Sequence, residues 1–178
     1  MEFLPTPLPG CYVIEPRVFA DDRGFFLETY HAGKFRNAGI DLPFVQDNHS
    51  HSRRNVVRGL HYQVRRPQGK LVRVVQGEIF DVAVDLRSTS PTHGEWFGIR
   101  LSAERRNQLY VPPGLAHGFC VLSETADVVY KCTDLYVPED ERTILWNDPD
   151  LGILWPLGGP PIVSARDARA SSFRESQQ

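Results

Sequence analysis

Ile79-Phe-Asp-Val-Ala-Val-Asp-Leu86 alternates along its length, with Phe80, Val82, Val84 and Leu86 set against Asp81, Ala83 and Asp85. Alternation of period two marks a half-buried β-strand. Just upstream, Gln76-Gly-Glu78 turns the chain. Before that turn lie Arg58-Gly-Leu-His-Tyr-Gln63 and Gly69-Lys-Leu-Val-Arg73, which set His61 and Lys70 either side of a polar turn. The expectation is that both sit at the ends of strands. The intervening Val64–Gln68 carries no signal of its own.

The same pattern extends outward. Trp96–Leu101 alternates Phe97, Ile99 and Leu101 against Gly98 and Arg100, and Asp127–Thr133 puts Val128, Tyr130 and Cys132 on one face. Leu109-Tyr-Val-Pro112 runs into Pro113-Gly-Leu-Ala-His-Gly-Phe119. Nearer the start, Leu8–Phe19 reads as a first strand broken by Pro16. Asp21–Gly24 reads as a turn, and Phe25–Tyr30 as a β-prone stretch carrying Glu28. His31–Ala38 reads as a short helix stopped by Gly39, and Ser50–Asn55 as a basic, polar loop. Beyond Pro138 the strand signal fades. Trp146-Asn-Asp-Pro149 and Trp155-Pro156 read as aromatic loops packed on the outside or mouth, Ser164–Ala170 as a last helical turn, and Ser171–Gln178 as a frayed tail. With no repeat or linker, the chain reads as one domain over 1–178. Many short strands with frequent turns make it an all-β sandwich or barrel with a few short peripheral helices.

Composition narrows the function. A formal net charge of -2 leaves no basic excess for nucleic acid or a membrane surface. No apolar run approaches membrane-spanning length, and the opening residues lack the pattern of a signal peptide. Cys11, Cys120 and Cys132 have no metal-type spacing and read as small apolar fillers of a reduced, cytoplasmic protein.

Two histidine stretches stand out. Pro112-Pro-Gly-Leu-Ala-His117 turns into a strand as the second motif of metal cupins does. The first such motif needs a His-x-His, yet His61 is followed by Tyr62 and Gln63. His49 and His51 do form a His-x-His, but in an Arg-rich polar stretch without a nearby Glu. The expectation is therefore no metal, because a protein site normally wants three or more ligands. Without metal, His61 is a base, Lys70 a fixed cation, Arg23 and Arg58 further cations, and Tyr130 a weak acid. A neutral imidazole is the natural base near neutral pH, and a cation beside it stabilises an oxyanion. The set suits removal and return of a proton next to a carbonyl. Each residue also has a plain structural reading: His61 and Tyr130 as core side chains, Lys70 as a solvated turn residue, Asp167 as a cap in Ser164-x-x-Asp167.

The chain resembles the dTDP-4-dehydrorhamnose 3,5-epimerase family. The matching stretches are Asp22–Glu28, Phe44–Ser50, Arg58–Gln63, Gln68–Arg73, Gly77–Asp85, Pro113–Phe119, Tyr130–Thr133 and Trp146–Pro149, in the family's order and near its spacing. The resemblance implies a cupin-type jelly roll and a homodimer that exchanges its N-terminal strands, 1–20. It implies cofactor-independent inversion of C3 and C5 of a dTDP-4-keto-6-deoxyhexose. By motif match, His61 is the general base, Tyr130 the general acid, Lys70 the stabiliser of the O4 enolate, and Asp167 the aspartate that orients the base. Arg23, Glu28, Gln46, Asp47, Asn48, Arg58, Lys70, His117 and Glu141 match contacts to the nucleotide sugar, and Arg166 stands where a lysine is common. Three alternatives remain open at the level of sequence: a C3-only or C5-only epimerase, a metal-dependent cupin, and a non-catalytic cupin that binds a sugar or a partner.

Overall fold

The computed structural model describes residues Met1–Gln177. Its strands fall into two antiparallel sheets laid face to face, the cupin-type jelly roll. The first sheet runs in the order β1 (Glu2–Pro5), β2 (Tyr12–Glu15), β10 (Gln108–Val111), β7 (Lys70–Gln76), β12 (Thr125–Cys132), β5 (Gln46–Arg53). The second runs β13 (Glu141–Thr143), β6 (Val56–Gln63), β11 (Leu115–Val121), β8 (Glu78–Asp85), β9 (Trp96–Ser102), with the short β14 (Ile162–Val163) added parallel to β6. A separate hairpin pairs β3 (Val18–Asp21) with β4 (Gly24–Leu27).

Between the sheets, Val72, Val74, Leu109 and Val128 of the first meet Ile79, Ala83, Leu101 and Val121 of the second. Truncating a fully buried leucine such as Leu101 or Leu109 to alanine would cost about 2–5 kcal/mol. Along β12 the inward positions pass from Val128 through Tyr130 to Cys132, so this strand leads from the apolar core into a polar cavity.

The strand that decides the fold is buried on both sides, not on one. Phe80, Val82 and Val84 point away from the barrel interior and are covered by Leu151, Ile153 and Trp155 from the C-terminal region. Ile79 and Ala83 join the inter-sheet core instead. Asp81 and Asp85, fully buried on that inner side, survive there because each has partners: His117 for Asp81, and Arg87, Ser90 and Thr92 for Asp85.

Other expectations meet the structure in detail. The short helix is α1, Ala32–Asn37, capped by His31, whose Nδ1 accepts from Lys34 N, and ended by Gly39 at φ +86°. Its Phe35 is packed edge-on by Phe3, Tyr30 and Phe44, over Ile14, Leu71 and Tyr110 on the outer face of the first sheet. Ser50–Arg53, read as loop, continues β5. The hydrophobic signal is missing because its inward residues, Gln46, Asn48 and Ser50, face a polar cavity rather than a core. Read as frayed, the tail is instead tied down: Ser171 bridges to Ile144, and Phe173 N donates to Asp148 Oδ2 at 2.8 Å. Gln178 lies outside the described residues. Within the chain, β1 pairs with β2 and β2 pairs with β10, so Leu8, Cys11, Val13 and Ile14 belong to its own core. The element left without a sheet is the β3–β4 hairpin.

Candidate active site

A cavity of about 360 Å³ opens between the sheets at the polar end. His61 enters it from β6 of the second sheet, whereas Lys70 on β7 and Tyr130 on β12 enter from the first. His61 lies inside its strand rather than at the end, and Lys70 is the first residue of β7. Two glycines permit this arrangement. A Cβ on Gly59 would lie 2.6 Å from Gly118 Cα, and one on Gly118 would lie 2.7 Å from the Arg58 carbonyl oxygen. Strands β6 and β11 can therefore close on each other beside His61 and His117, which are paired in register.

Asp167 stands behind His61. Its Oδ1 is 2.8 Å from His61 Nε2, and its Oδ2 accepts from Gly59 N at 3.3 Å. Burial pushes the Asp167 carboxyl up, but the hydrogen bond and charge of His61, with the N–H of Gly59, outweigh it and hold the group below the usual carboxylate range. The expected capping box is only half present. Ser164 Oγ does accept from Asp167 N at 3.0 Å, while the aspartate side chain turns away to the histidine. An anionic carboxylate on one ring nitrogen orients the imidazole and leaves the other nitrogen for proton transfer.

Lys70 has no carboxylate in ion-pair range among the described residues. Its Nζ donates only to the His61 carbonyl, at 3.4 Å. Burial pushes this ammonium below its ordinary value, and the charges of Cys132, Glu141 and Asp81 offset that only in part. A half-buried cation without a close ion-pair partner is poised for an anion that develops nearby. Burial also pushes the Tyr130 phenol up, reinforced by Cys132 and Glu141 and opposed by Arg58. The phenol therefore stays protonated and available as a donor.

Around these groups, Arg58 is fixed by Ser52 Oγ at 3.0 Å, and His117 Nε2 by Asp81 Oδ1 at 2.8 Å. At the rim, Arg166 forms an ion pair with Glu141, whose Oε2 also accepts from Tyr136 Oη at 2.9 Å. Gln46 Oε1 accepts from Tyr136 N, and its amide donates to Asn48 Oδ1. Hence Gln46, Asn48, Arg58, His117, Glu141 and Arg166 all gather with His61, Lys70 and Tyr130.

Three expected contacts do not reach this chain's cavity. Arg23 is at the hairpin tip, paired with Asp21; Glu28 is paired with Lys34; and Asp47 faces outward from β5 to Lys131. His49 and His51 also face outward and share Asp127, at 2.8 and 3.0 Å. Among the described residues no three His, Cys, Asp or Glu side chains are grouped to hold a metal ion. Sequence reasoning missed Ser50, Gln68 and Tyr136 as lining residues and Asp81 as the partner of His117. Only Asp81 had a signal: a charge between apolar neighbours in the middle of a strand.

Residues 5–175 match the family described as dTDP-4-dehydrorhamnose 3,5-epimerase. The chain belongs to that family. It is 56% identical over 170 residues to a dTDP-4-dehydrorhamnose 3,5-epimerase of Pseudomonas aeruginosa, covering 95% of this chain and 94% of that protein. A Neisseria gonorrhoeae protein of the same name is 52% identical over 100% of this chain, which spans 54% of that longer relative. Among solved structures, a Legionella pneumophila dTDP-6-deoxy-D-glucose-3,5-epimerase in complex with dTDP-4-keto-L-rhamnose superposes with a TM-score of 0.95. It is 49% identical, over 97% of this chain and 93% of that one. As a member of the dTDP-4-dehydrorhamnose 3,5-epimerase family, the protein is an epimerase.

Proposed function

We propose that the cavity inverts C3 and C5 of dTDP-4-dehydro-6-deoxy-D-glucose without cofactor, giving dTDP-4-dehydro-L-rhamnose. The observation that carries this is the placement of His61 and Tyr130 on opposing sheets of one cavity. In a gluco-configured ring the hydrogens on C3 and C5 are axial on the same face, and the 4-keto group acidifies both. One base on that face serves both carbons, and one acid on the other face returns both protons. His61, oriented by Asp167, removes each proton. Lys70 stabilises the O4 enolate, and Tyr130 protonates carbon from the opposite side. Arg58 and His117 suit the diphosphate, with guanidinium forks favouring such anions. Gln46, Asn48, Glu141 and Arg166 form the nucleotide side. The deciding experiment is the conversion of the keto-sugar in deuterated buffer, followed by proton NMR at C3 and C5. Exchange at neither carbon would sink the reading, and exchange at one alone would make it a single epimerase. We expect chelators to leave this activity unchanged; stoichiometric zinc, iron or manganese in active protein would refute that.

The epimerase is proposed to act as a cytoplasmic homodimer. Hairpin β3–β4 exposes Phe19, Phe25 and Phe26, at 49%, 58% and 70%, a patch that suits a second copy. Arg23 at its tip, with Glu28 and Asp47, would then contact nucleotide sugar in the partner's cavity rather than their own. Deleting the first 20 residues is a poor test, since it removes Ile14 and other core residues. A mixing experiment is better. His61→Asn has a dead cavity and an intact hairpin; Arg23→Ala has the reverse. Each alone is expected to be impaired, and exchange of subunits to restore activity. Mixtures no more active than their components would exclude a site completed by the partner.

A further inference from the structure

We infer that Gln63 is a positioning residue for the nucleotide-side rim of the cavity. The inference rests on the epimerase reading above, and it concerns a side chain that does not itself line the cavity. Gln63 ends β6, two residues beyond His61, and is 5% exposed. Its amide is spent entirely on backbone. Nε2 donates to the Arg66 carbonyl at 2.7 Å and to the Leu135 carbonyl at 3.3 Å, while Oε1 accepts from Val137 N at 2.7 Å. Leu135 and Val137 are the two neighbours of Tyr136, so one side chain holds the chain on both sides of that tyrosine. Gln46 holds Tyr136 N itself.

Asp140, 2% exposed, closes the joint from the other side. Its carboxylate accepts from Arg65 N and Arg66 N at 3.0 and 2.8 Å, and its carbonyl accepts from Val64 N. The two loops so joined, 64–69 and 133–140, carry Gln68 and Tyr136 into the cavity wall. They lead directly into Lys70 and Glu141. Tyr136 is 44% exposed, yet its backbone is pinned at three successive residues. Ordering a surface segment opposes folding entropy, and a wall fixed before the ligand arrives loses less on binding. The joint's hydrogen bonds hold the backbone around Arg66 and Tyr136 and make none to His61 or Asp167. Its loss therefore acts on binding rather than on proton transfer.

The test is Gln63→Met, which keeps length and bulk and removes all the amide's hydrogen bonds. Calorimetric binding of dTDP is measured alongside KM, kcat and circular dichroism. Expected is a Kd for dTDP and a KM raised roughly tenfold or more, the scale on which a misplaced binding group acts, with kcat and solvent exchange at saturating substrate near native. A folded Gln63→Met with native Kd and KM, or one whose kcat falls at unchanged KM, overturns the inference. Should Gln63→Met not fold, Asp140→Asn loosens the same joint more gently. Raised KM at near-native kcat supports the inference there, and native KM overturns it. Native protein that binds no dTDP instead overturns the epimerase reading itself.

Discussion

Replacing His61 by Asn is expected to stop deuterium entering either C3 or C5 of the keto-sugar, because without the base no enolate forms. The loss should be roughly a hundredfold or more, as for other removed acid–base groups. Tyr130→Phe should behave differently. With His61 still held by Asp167 at 2.8 Å, the enolate forms and the base can return a solvent-derived proton to the face it came from. Deuterium then enters without inversion, and most net epimerisation is lost. Proton NMR in deuterated buffer reads both quantities in one sample, and circular dichroism confirms folding. Near-normal inversion at C5 by Tyr130→Phe would hand the acid's role to water or another residue. Continued exchange at either carbon by His61→Asn would move the base elsewhere and remove the central assignment.

The second large effect belongs to Lys70, where rate and stability should move in opposite directions. Lys70→Met is expected to lower kcat roughly two to three orders of magnitude, as loss of an oxyanion partner does, while KM changes little. The same substitution should raise Tm, because it removes a half-buried cation that has no carboxylate in ion-pair range among the described residues and whose burial Glu141 and Asp81 offset only in part. Burial depresses the folded pKa of Lys70, so the charged form is the disfavoured one in the native state. The destabilisation is full at pH values below that folded pKa and fades as pH rises through it toward the unfolded value. The gain in Tm should accordingly be largest near neutral pH and vanish in alkali. In the native enzyme, the alkaline limb of kcat/KM should fall below the ordinary lysine value of about 10.4. Unchanged turnover in Lys70→Met would return this residue to a structural role; a lowered Tm would show that the ammonium stabilises the native fold.

Most of the sandwich was legible because its strands bury apolar residues at every second position, as Phe97, Ile99 and Leu101 do on β9. The reading failed where that rule is broken by the cavity. Strand β5 presents Gln46, Asn48 and Ser50 inward, so its second half looked like loop. On β8 the periodicity was right, but both faces are covered, since Trp155 and its neighbours arrive from a segment whose own sequence has no period. His61, Lys70 and Tyr130 could be singled out together because the residue types limit what they can do together, and the fold does bring them into one cavity. Gln63, Tyr136 and Asp81 had weak signals or none. Their importance lies in which distant backbone or side chain they meet, and only the fold determines that.

The couple between His61 and Asp167 spans 106 residues. A polypeptide is made from its N-terminus, so the barrel strands that carry the histidine, lysine and tyrosine emerge well before the turn that carries the aspartate. Until that turn docks beside β6, the imidazole has neither its carboxylate nor a fixed orientation. The nascent protein can therefore hold a nearly finished sandwich and still lack an oriented base. On the proposed reading of His61 as the base, competence waits for one of the chain's latest segments.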